Sequence, residues 1–141
     1  MAIERIRLLM RSAMAIFYAT AGVLHLRSPE AFLPIVPDWV PFPYEVVVGT
    51  GLCEIAGAAA LLTQHLRWWA SVMLALYAVC VLPANIKHAI DNIPIAGMQL
   101  SWWYHAPRLA FQPVLVWWAL FAGEVVNWPE KRDRGCRTGP T

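Results

Sequence analysis

Four stretches of the chain, residues 8–26, 44–63, 68–86 and 107–126, are built almost wholly from apolar side chains, and polar residues gather between them. A helix of about 20 mostly apolar residues crosses a bilayer's hydrocarbon, so the pattern predicts four transmembrane helices. Only "TQHLR" joins the second to the third, which makes those two antiparallel neighbours. The first connection, "RSPEAFLPIVPDWVPFPY", carries prolines at 29, 34, 37, 41 and 43, too many for a regular helix. Its Phe32, Leu33, Ile35, Val36, Trp39 and Phe42 are too apolar for a free loop. It is expected to lie along the interface as a lid over the helix ends, with Trp39 and Tyr44 anchored at headgroup level. The third connection ends in Trp102, Trp103 and Tyr104, a second aromatic belt on the same side.

Composition agrees with this reading. With 59% hydrophobic and 14% charged residues, 141 residues are too apolar for an ordinary soluble core. The expected fold is an all-α, integral membrane four-helix bundle with amphipathic interfacial segments on the outer side. Residues 1–128 form its single domain, and residues 129–141 a short, basic, disordered tail. Arg5 and Arg7 precede an apolar run, and Ala19-Thr20-Ala21 resembles a cleavage site. Arg11 interrupts that run, however, so the segment reads as a first span and not as a signal peptide.

The basic residues set the orientation. Arg5, Arg7, Arg11, Arg67, Lys131, Arg132, Arg134 and Arg137 fall on one side, and Arg27, Lys87 and Arg108 on the other. The first side should be cytoplasmic, giving a multi-pass protein of a bacterial-type inner membrane with both termini inside. The formal charge of +2 then reflects topology and gives no reason to expect nucleic-acid binding. Cys53 and Cys80 read as small buried thiols, and Cys136 as a tail thiol. There is no C-x-x-C pair for thiol–disulfide chemistry. His25, His65, His88 and His105 do not share helices at metal-binding spacing, so no metal site is expected.

Polar groups inside spans are costly and therefore informative. Arg11, Tyr18, Gly22 and His25 recur along one face of the first span. Glu54 lies about ten residues into the second, roughly 15 Å deep at 1.5 Å per residue. Gly51 and Ala58 flank it with a strip of small residues that admits another helix. Asn85 ends the third span, and Arg108 and Gln112 lie one turn apart in the fourth. Lys87 and His88 read as snorkelling interface residues.

Two accounts of His25, Glu54, Asn85, Arg108 and Gln112 stay open. In one they are interhelical glue, with Glu54 paired to Arg108. In the other they line a pocket for the head of a lipophilic molecule such as a quinone, with Glu54 and His25 as proton carriers.

"AGVLHLRSPEAF", "VPDWVPFP", "GLCEIAGAAALL", "VLPANIKHA" and "PRLAFQPVLVWWAL" together resemble the DoxX-like family of small four-helix membrane proteins, over roughly residues 14 to 123. That family is named after a subunit associated with thiosulfate:quinone oxidoreductase. The resemblance implies an accessory subunit of a redox or quinone-linked membrane complex, and it places His25, Glu54, Asn85, Arg108 and Gln112 among the recurring polar positions. It supplies no catalytic set. With no haem or flavin motif, any oxidoreductase activity would need a partner enzyme. The alternatives are a non-catalytic anchor or scaffold, itself open to homo-oligomerisation, and, less favoured, a small-solute permease.

Overall fold

The computed structural model describes residues 2–94 and 97–126. Every regular element among them is helical: α1 (Ala2–Arg27), α2 (Pro43–Leu61), α3 (Arg67–Cys80), α4 (Leu82–Ile90) and α5 (Trp102–Ala122), with two short 3-10 turns at Pro29–Ala31 and Leu33–Ile35. The basic tail, with Cys136 and the proposed boundary at 128/129, lies outside the described residues.

Three helical stretches are long and apolar enough to cross a membrane: Ile3–Arg27, Pro43–Leu61 and Arg67–Ile90. Their outward faces are as greasy as their cores. Leu9, Ile16, Leu52, Trp69 and Met73 are all exposed, an arrangement consistent with a lipid bilayer. Helix α1 packs chiefly on α2, α2 on α3, and α5 on both α3 and α1. The short link after α2 makes α2 and α3 neighbours, as its length requires. Met14, Tyr18, Ala58, Leu61, Leu74, Ala78, Leu115 and Ala119 form the core between them.

The small-residue strip on α2 meets its counterpart on α1. A Cβ on Gly22 would lie 2.6 Å from the Gly51 carbonyl oxygen, and one on Gly51 would lie 2.9 Å from the His25 Cβ. Only glycine at both positions allows the two backbones to come this close.

The segment 68–86, expected to be one helix, is broken at Val81. Pro83 stands in the first turn of α4; it has no N–H to give, and its ring crowds the carbonyl four residues earlier. The helix then runs on to Ile90, so Lys87 and His88 belong to it and not to a loop. Helix α5 likewise starts earlier than the sequence pattern placed it. Trp102 to His105 form its first turns, and Pro107 and Pro113 lie inside it.

Cys53 and Cys80 are exposed, correcting the expectation of buried thiols. On α2 the buried positions are Val47, Gly51, Glu54, Ala58 and Leu61, at helical spacing. Cys53 falls about 100° away from that stripe.

At one end of the molecule, residues 28–42 fold over the helix termini as a lid. Lys87 fastens it: its Nζ donates to the Val36 carbonyl (2.9 Å) and to Asp38 Oδ1 (2.7 Å). Lys87 is therefore a clamp and not a free snorkelling side chain. Asp38 is almost fully exposed, so this pair contributes at most about 1 kcal/mol. Lys87→Met is expected to leave global stability within that margin while speeding amide hydrogen exchange in the 28–42 peptide. Unchanged exchange there would show that the lid is held by its apolar contacts alone.

At the opposite end, Glu124 joins three helices. It accepts from Arg11 Nη2 (3.2 Å) and from Arg67 Nη2 (2.9 Å), while Arg11 Nε donates to the Ala122 carbonyl. Arg11 and Arg67, assigned above to topology, thus also fasten α1 and α3 to the end of α5.

Candidate functional site

Beneath the lid lies a cavity of about 440 Å³, within the roughly 300–1,000 Å³ range of small-molecule sites. Phe32, Ile35, Val36, Pro37 and Val40 of the lid roof it, and Val46, Val47, Phe111 and Leu115 line its apolar walls. Its polar groups are His25, Thr50, Glu54, Tyr77, Asn85, Arg108 and Gln112, beside Tyr18. The five residues singled out in the sequence therefore border one space, contributed by α1, α2, α4 and α5.

These groups form two separate systems. The first centres on Glu54, 3% exposed and about 16 Å along α2 from Pro43. Its Oε2 accepts from His25 Nδ1 at 2.8 Å and its Oε1 from the Tyr77 hydroxyl at 2.8 Å. His25 Nδ1 also lies 3.0 Å from the Ala21 carbonyl. A carbonyl can only accept, so Nδ1 carries a hydrogen shared between Ala21 and Glu54. This leaves the other ring nitrogen as the imidazole's second polar atom, while the ring itself packs 4.2 Å from Phe32 of the lid. A carboxyl and an imidazole joined in this way are chemically able to exchange a proton, and both border the cavity.

The second system runs along α4 and α5. Arg108 Nη1 donates to His88 Nδ1 (2.6 Å) and Nη2 to the Asn85 side-chain oxygen. Asn85 Nδ2 donates to Gln112 Oε1 (3.2 Å), and Gln112 Nε2 to the Ala78 carbonyl. Asn85 follows the break at Val81 and faces inward, so the amide pair ties the end of α3 to α4 and α5.

The expected Arg108–Glu54 pair does not form. Glu54 is satisfied from α1 and α3, and Arg108 from α4, because Arg108 lies near the lid end of α5 while Glu54 sits deeper. His88, read as an interface residue, is fully buried. It stacks edge to face on His105, centroids 4.6 Å apart. The sequence signal for it was its spacing: it follows Asn85 by three positions, one turn along the same face. Tyr77 was missed because a tyrosine in a span raises no cost alarm. Its only signal was a hydroxyl at mid-helix in a neighbour of α2.

The fold and the cavity define a class: an all-helical protein, with helices suited to a bilayer, that encloses a lidded pocket with charged groups on its walls. Residues 14–123 match the family described as a domain of unknown function (DUF8561), and the chain belongs to that family. No curated protein and no solved structure matches it.

Proposed function

We propose that this chain is a four-span inner-membrane protein, both termini cytoplasmic, that holds a lipophilic molecule with its polar head in the cavity under the outer-leaflet lid. The observation that carries the reading is the cavity itself. It is apolar over most of its wall, yet it contains the part-buried Glu54–His25 couple and the Arg108 guanidinium. Helix α5 serves as the fourth span; prolines such as its Pro107 and Pro113 are tolerated in spanning helices where nearby groups or local adjustments re-satisfy the backbone. The resemblance to DoxX-like proteins suggests the wider role, an accessory subunit presenting a quinone or similar molecule to a partner oxidoreductase. Glu54 and His25 would then exchange the protons that quinone reduction or quinol oxidation requires.

The alternative, a scaffold whose polar cluster is glue, draws support from one observation. Asn85, Gln112 and the Ala78 carbonyl satisfy one another across α3, α4 and α5. Those bonds are interhelical packing under either reading, each contributing about 0.6 kcal/mol.

Mass spectrometry of an organic extract of the purified protein, beside that of Glu54→Gln, separates the two. A lipophilic molecule near one per chain in the parent and depleted in the variant is the expected result. An extract from the parent with no specific molecule would leave the scaffold.

A further inference from the structure

Among the described residues, Arg108 is a cavity-lining cation without a carboxylate partner. Its contacts are with neutral groups: the His88 ring, the Asn85 oxygen and the face of Tyr104, 5.8 Å away. Intramembrane arginines are normally paired, because an uncompensated guanidinium is among the costliest groups to place in a span. Here the one carboxylate of the cavity, Glu54, has an oxygen committed to each of two other donors. A guanidinium has five N–H donors, and two of them are occupied. Of the amides beside it, Asn85 orients Arg108 through its side-chain oxygen, while Asn85 Nδ2 and Gln112 Nε2 each commit one of their two hydrogens to packing, to Gln112 Oε1 and the Ala78 carbonyl.

His88 accepts from Arg108 at Nδ1. Its protonation at that nitrogen would break the contact, so the ring supports the charge as a neutral acceptor. What the cavity offers, then, is a positioned cation on the α5 wall with free donors, below an apolar roof.

We propose that the head of the cavity's ligand is an anionic oxygen group seated on Arg108 and carried on an apolar body, as in a long-chain carboxylate. This rests on the reading of the cavity as a ligand site and narrows the chemistry of what fills it. A carboxylate matches the planar fork of the guanidinium and supplies its missing counter-charge. A phospholipid phosphate offers the same anionic oxygens, so the two sources share the site and are separated by the test.

The experiment uses the full chain in a neutral detergent at pH 8, with the fluorescent fatty acid cis-parinaric acid as probe. Its methyl ester, oleate, phosphatidic acid and a short-chain ubiquinone serve as comparators. The acid is expected to bind at least about tenfold more tightly than its ester, the usual worth of one charge-assisted hydrogen bond. Arg108→Gln should remove that preference and Arg108→Lys should restore part of it. Displacement by oleate assigns the site to a free acid; displacement by phosphatidic acid alone assigns it to a lipid phosphate.

Equal binding of acid and ester by the parent protein overturns the proposal, and needs no variant to fold. Binding of the quinone without the acid also overturns it while leaving the cavity a ligand site. Binding of none of the probes removes both readings.

Discussion

Gly22→Ala is expected to destabilise the protein by about 1–3 kcal/mol, the usual effect of forcing atoms into a filled contact. The added methyl would lie 2.6 Å from the Gly51 carbonyl oxygen, 2.8 Å from Ile55 Cγ1 and 3.1 Å from Glu54 Cβ. Ile55 has rotamers to give way; the carbonyl moves only if α2 moves. Gly51→Ala makes the same intrusion from the other side, against His25 Cβ and the Gly22 oxygen. Gly49 provides the control, since a Cβ there meets nothing within 4 Å. Gly49→Ala should stabilise by up to about 1 kcal/mol through helix propensity. Thermal unfolding in detergent, followed by tryptophan fluorescence, measures all three. If Gly22→Ala and Gly49→Ala melt alike, the α1–α2 crossing is not limited by these glycines. Because the crossing brings His25 within 2.8 Å of Glu54, Gly22→Ala should also weaken ligand retention.

His25→Leu should be comparably damaging, at about 1–3 kcal/mol. Removing one partner of this hydrogen bond leaves a buried Glu54 oxygen without its donor in a medium that cannot solvate it. The loss is tempered because the Tyr77 hydroxyl still donates to Glu54. Glu54→Leu should cost less, since the imidazole keeps the Ala21 carbonyl. The double variant, His25→Leu with Glu54→Leu, should return most of the loss, because two apolar residues replace the pair and no acceptor is left without its donor. A double variant no more stable than His25→Leu would show that the carboxylate is not the source of the damage. Recovered stability with an empty cavity would separate the role of the pair in ligand binding from its role in packing.

The burial stripe of α2 was readable from spacing, because a helix repeats every 3.6 residues and Gly51, Glu54 and Ala58 keep that phase. The lid was readable from its prolines, which cannot donate and so exclude a helix. His25, Glu54, Asn85, Arg108 and Gln112 stood out on cost alone, since a polar group in an apolar span demands a reason. Their pairing was not readable. Glu54 and Arg108 are opposite charges on the second and fourth apolar segments, yet each found its partners on helices whose register the sequence does not state.

The stretch "VLPANIKHAI" shows the division most clearly. By itself the sequence determined that an apolar helix meets polar residues here; it read 68–86 as one helix, and the break at Val81, where the Pro83 ring lacks a donor and crowds the preceding turn, came with the structure. The sequence also determined that the long helices are apolar on their outward faces, and that glycine occupies the positions where two of them cross. Only the tertiary structure decided that the interruption turns Asn85 and His88 inward to hold Arg108, that Lys87 turns to the lid, and that Tyr77 meets Glu54. Those outcomes depend on how four long helices are rotated and offset against one another. Such offsets arise from many contacts of similar energy summed over the whole fold, and no local spacing encodes them.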